Sequence, residues 1–95
     1  MRAHEIQVTH RTGSTYDVVV HDGTTTVHEV TVWPSYIARY APDATPEELI
    51  EASFVFLLEL EPKEAILRKF ELPVIEGYFP EYLHTIASHI RGQEP

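Results

Sequence analysis

The chain lacks cysteine altogether, and it holds only four glycines, one methionine and one tryptophan among its 95 residues. Each shortage excludes something. Without cysteine there is no disulfide, thiolate metal site or thiol nucleophile, which accords with a reducing compartment. Four scattered glycines form no phosphate-cradling loop, so nucleotide binding has no support. Long apolar runs are missing too. The longest mainly apolar stretch, Ala52 to Leu58, falls far short of the roughly 20 residues that cross a bilayer. The opening MRAHEIQVTH lacks the continuous apolar segment of a signal peptide. The expectation is a cytoplasmic protein with no membrane role.

Basic residues are also scarce: seven Lys and Arg against fifteen Asp and Glu, a net charge of −8. Between Asp43 and Pro62 stand Asp43, Glu47, Glu48, Glu51, Glu59 and Glu61 with no base among them. Such a surface repels phosphate backbones and steers basic partners toward it, so no nucleic-acid role is expected. Hydrophobic residues at 43% and charged residues at 23% are those of an ordinary folded chain rather than a disordered one. Ninety-five residues make one domain, residues 1–95.

The hydrophobic period changes at Trp33-Pro34. Before it, His4, Ile6, Val8 and His10 alternate with polar residues, as on a strand with one half-buried face. Arg11-Thr12-Gly13 suits a hairpin turn with glycine in the left-handed position, placing Tyr16, Val18 and Val20 opposite. His21-Asp22-Gly23 repeats the device. An odd-length loop there turns Thr26, His28, Val30 and Val32 inward, whereas a two-residue turn would choose Val27, Thr31 and Trp33; the odd loop is favoured. The result is an antiparallel meander of three strands, about 4–10, 15–21 and 24–33.

After Pro34 the spacing is helical. Residues 35–40 form a short helix that stops before Pro42. Thr45-Pro46-Glu47-Glu48 reads as a capping box with proline at the first helical position, opening a helix over 46–60. Leu49, Ile50, Ser53, Phe56, Leu57 and Leu60 share one stripe, and Phe54 and Leu58 widen it beyond the usual minimum. Ile66, Leu67 and Phe70 suggest a helix over 63–70, a turn or short helix follows Pro73, and Pro80 opens a last helix to about Ile90. Residues 92–95 read as a frayed end. The fold class is therefore α+β, with the helices packed on one face of the meander.

No catalytic signature sits on this frame. Ser14, Ser35, Ser53 and Ser88 all lie outside a GxSxG elbow. The six histidines include His10, His21 and His28, which strand pairing can bring near Asp17 and Asp22. Imidazole and carboxylate suit zinc, yet there is no HExxH and no His pair at i, i+4, so the expected metal and catalytic sets are empty and no cofactor is expected. Lys63–Tyr78 has the outline of two short helices about a turn, but its second helix carries no base reader.

Aromatic residues point instead to contact with a protein. Phe79 and Trp33 are assigned to the core, whereas Tyr36, Tyr40 and Tyr82 are candidates for an interface, where tyrosine keeps a polar tip beside a large apolar body. The apolar arc of 46–60 is wider than a small sheet buries, which adds Phe54 and Leu58 with the flanking Glu48, Glu51 and Glu59. A homodimer would cover such a margin.

The stretch FLLELEPKEAILRKFELPVIEGYFPEY (Phe56–Tyr82) resembles a segment of small bacterial proteins without an assigned function. The hairpin half is similar to the sheets of small bacterial antitoxins. The first resemblance implies no activity, and the second is shared by β-meanders generally. The expectation is a non-enzymatic accessory subunit or homodimeric module. Two alternatives stand beside it: an antitoxin, immunity or inhibitor protein neutralising a basic partner, and a histidine metal-binding protein.

Overall fold

The computed structural model describes residues 5–91; His4 and residues 92–95 lie outside them. Three antiparallel strands, β1 (Glu5–Thr12), β2 (Thr15–Asp22) and β3 (Thr24–Thr31), are followed by helices α1 (Pro34–Tyr40) and α2 (Pro46–Leu60). A 3₁₀ turn at Lys63–Ala65 leads to a fourth strand, β4 (Lys69–Glu71), and then to α3 (Val74–Tyr78) and α4 (Tyr82–Arg91). The sheet order is β1-β2-β3-β4, with β4 parallel to β3. Among the described residues no helix is long and apolar enough to cross a membrane.

The pairing follows the alternation of side chains. Val8 stands opposite Val18 and Ile6 opposite Val20, while Val18 meets His28 and Val20 meets Thr26. The odd-loop register therefore holds, with Gly23 alone between the paired Asp22 and Thr24. Gly23 at φ 92° and Gly13 at φ 56° occupy the left-handed region that only glycine enters without strain. In the first hairpin the tight turn is Gly13-Ser14, and the extra residue is a bulge between His10 and Thr12. Turn plus bulge preserve the parity of the expected three-residue loop, so the same side chains face inward.

One segment departs from expectation. Residues 63–70 are a single 3₁₀ turn followed by extended chain, so the sheet has four strands rather than three. The helical spacing of Ile66, Leu67 and Phe70 misleads because three residues of strand contain only one inward position. Phe70 fills it, paired beside Val30 and flanked by the exposed Lys69 and Glu71. Lys63, only 5% exposed, holds the turn in place through ion pairs to Asp22 and Glu64.

Helix α2 begins as its signals require. The Thr45 hydroxyl accepts from the Glu48 amide at 3.1 Å, and the Glu48 carboxylate accepts from the Thr45 amide at 2.9 Å. The helix is then buried on two sides. Phe54 faces the sheet, its ring edge-on to His28 at 5.2 Å and 6.2 Å from Phe70. Phe56 faces away from the sheet, against Tyr82, Phe79 and His89. Thus α2 lies between the sheet and α4, and the arc expected to be left over is covered. Leu60, expected inward, is 47% exposed at the end of the helix. Trp33, assigned to the core, is 50% exposed, because Val32 takes the inward position and the chain leaves the sheet at Trp33 to start α1.

Candidate interaction surface

Covering α2 moves the exposed apolar surface elsewhere. Of the six large hydrophobic side chains that stay exposed among the described residues, Leu67, Val74 and Tyr78 line one indentation. Its floor and walls are Leu57, Ile66, Phe70, Ile75 and Phe79, with Glu61 the single charged member. Four elements meet there, and each delivers its residues for a local reason. The last turns of α2 present Leu57, and the extended cap at Glu61 turns the chain away beside Pro62. The segment that follows must reach β3 to pair as β4, so it carries Ile66 and Leu67 across the end of α2. Short α3 then places Ile75 inward and Val74 and Tyr78, one turn apart, outward.

The indentation is shallow, with a cavity volume of about 30 Å³, far below the roughly 300–1,000 Å³ of small-molecule sites. A second dent adjoins it, sharing Glu61, Leu67, Tyr78 and Phe79. Dents with this apolar lining suit packing against apolar side chains of the kind that anchor protein interfaces.

The residues singled out from sequence lie elsewhere, and several are core. Phe54 and Tyr82 have no exposed surface, and Tyr40 has 3%. The Ser53 hydroxyl donates to the Leu49 carbonyl at 2.6 Å and therefore accepts from the Tyr82 hydroxyl at 2.7 Å. The Tyr40 hydroxyl donates to Glu76 at 2.7 Å. Burial raises the pKa of both phenols, most strongly that of Tyr82, and the bond from Tyr40 lowers that of Glu76. These three aromatics offer a partner nothing: α1, α2 and α4 converge over Tyr40 and Tyr82, and the sheet covers Phe54. Leu58 is half-buried against the same core. Tyr36, half-buried, donates to Glu71 at 2.5 Å, which raises its pKa. Glu48 is engaged in the helix cap, Glu51 is half-buried, and Glu59 meets His89 at 3.2 Å.

The three candidate histidines are not brought together. His28 is buried, His21 bonds Thr25 at 2.6 Å, and His10 donates to the Gly13 carbonyl at 2.8 Å beside the Tyr16 ring. Among the described residues no group of three or more His, Asp or Glu side chains is arranged to hold a metal ion.

Leu67, Val74 and Tyr78 are not among the interface candidates read from the sequence. Their signal is slight: two apolar residues four apart in a five-residue helix, beside a strand of three. Compared with known proteins, the chain matches no family model, no curated protein and no solved structure.

Proposed function

We propose that this protein is a non-enzymatic interaction module that takes large apolar side chains of a protein partner into the dents beside Leu67 and Tyr78. The observation that supports the reading is the gathering of Leu67, Val74 and Tyr78, exposed at 45%, 36% and 68%, around a buried apolar floor. Solvent contact at such a rim is unfavourable, and a partner's aromatic or aliphatic anchor removes it. Buried anchors of this kind carry most of the energy of an interface.

The test compares tagged wild-type protein with Leu67→Asp and Tyr78→Asp in capture from native extract, washed at low and then at high salt. Both residues are exposed, so circular dichroism of the variants should match wild type. A partner retained by wild type at high salt and lost by the variants supports the reading. A partner that elutes with salt and ignores both substitutions would refute it in favour of a charge-driven neutralising role.

A further inference from the structure

The indentation is one exposed feature; the free edge of β1 is another and is independent of it. β1 spans eight residues at one margin of the sheet, and among the described residues no strand pairs with its outer side. A strand of that length presents a row of unpaired N–H and C=O groups, which proteins commonly blunt with proline, lysine or a covering segment. Residues 5–12 contain neither proline nor lysine. The bulge at Arg11 lies near one end and leaves positions 6 to 10 regular.

The sequence of this edge is self-complementary. Its acid and its arginine, Glu5 and Arg11, stand near opposite ends. Antiparallel pairing about a two-fold axis at Val8 sets Val8 against Val8 of the second copy, Gln7 against Thr9, Ile6 against His10 and Glu5 against Arg11. Parallel pairing in register would oppose like charges at both ends. To meet Glu5 of the second copy, Arg11 turns its side chain outward from β2 and β3. Glu5 has no partner among the described residues. Arg11 uses Nε for Asp17 and Nη1 for Glu29, leaving its second terminal nitrogen without a partner among them. On the inner face, Ile6 and Val8 are only half-buried, whereas the residues opposite them, Val20 and Val18, have no exposed surface.

We infer that the protein pairs with a second copy of itself through antiparallel β1 edges, forming a continuous eight-stranded sheet. The contact is isologous, as a two-fold dimer requires. It satisfies the edge groups of both strands, brings Val8 against Val8 on the inner face and forms the Glu5–Arg11 pair twice. It uses no residue of the Leu67/Tyr78 dents, so each dimer carries two copies of them. A partner with two anchors gains from such pairing by raised effective concentration.

The experiment follows the full chain by sedimentation over a range of concentrations. Wild type should dimerise reversibly, and Glu5→Arg should weaken the dimer by roughly tenfold or more, since both end pairs become repulsive. Combining Glu5→Arg with Arg11→Glu restores opposite charges and should recover most of the affinity. Because the chain has no cysteine, Val8→Cys supplies a second readout. It places two sulfurs at the axis and should crosslink on mild oxidation faster than Val27→Cys. Val27 is 53% exposed on the outer face, so random collision predicts the reverse order. A monomer at every concentration, a dimer indifferent to Glu5→Arg, or faster crosslinking at Val27 would overturn the inference.

Discussion

His28 shows how much a single side chain holds in place. Its Nδ1–H donates to the Leu67 carbonyl and its Nε2 accepts from the Thr26 hydroxyl, both at 2.8 Å, with no exposed surface. One imidazole thereby ties β3 to the segment that forms the rim of the indentation. Burial lowers its pKa from 6.5; the bond to Leu67 works the other way, and the charge of Arg68 lowers it further. The unfolded chain therefore takes up the proton first. Stability should be level above about pH 6.5 and fall as the pH drops from there toward the lowered native value. Urea unfolding between pH 8 and pH 5 measures this, and His28→Gln should flatten the slope; an equal slope in that variant would assign it to other groups. Tyr82 gives a second residue-level expectation. Tyr82→Phe keeps the ring but leaves Ser53 without its donor, costing about 1–2 kcal/mol in denaturant titration. Ser53→Ala combined with it should cost less than the two separately, since the two side chains share one bond.

Among the elements, α2 was the most legible. Threonine, proline and glutamate at their capping positions place its start, and the proline after Glu61 bounds its end. Thr45→Ala should cost about 1 kcal/mol by thermal or chemical unfolding, with the fold unchanged; a loss near zero would mean that solvent replaces the cap. The meander was legible for a related reason. A period of two with glycine at the turns sets which faces point inward, and a bulge at Arg11 did not disturb the parity. Strand β4 was not legible. Three residues carry too little alternation to compete with the helical spacing of their neighbours, and a parallel pairing to β3 depends on two crossing helices. The faces of α2 were legible only as an amount of apolar surface. Whether Phe54 and Phe56 both find cover depends on α4, which packs from the side opposite the sheet.

At the scale of the molecule, the sheet has one buried and one open face. The inner face packs under α2, while the outer face carries a charge ladder in which Arg11 meets Asp17 and Glu29, and Lys69 meets Glu29. These contacts are exposed and contribute little to stability; their consequence is a polar outer face that does not invite stacking. Apolar surface is left instead at the Leu67/Tyr78 rim, and hydrogen-bonding capacity is left at the β1 edge. The two surfaces differ in physics, so their responses to salt should differ. Contact at the dents should persist at high salt, whereas the end pairs of a β1 dimer should weaken as salt screens Glu5 from Arg11. Sedimentation at two ionic strengths, on wild type and Tyr78→Asp, separates them: Tyr78→Asp should leave dimerisation unchanged.

The local properties of the chain are determined by the sequence itself. The α+β class, the inward register of three strands, the capped start of α2 and the acidic character all follow from periodicity, turn residues and composition. Interactions within a few residues suffice for each. The candidate surface belongs to the tertiary structure. Tyr40 and Tyr82 become core only because three helices converge over them, and Phe54 because α2 lays it on the sheet. Leu67, Val74 and Tyr78 become a rim only because the segment after α2 must return to β3. Exposure is a property of what packs against a side chain, and those neighbours are tens of residues away.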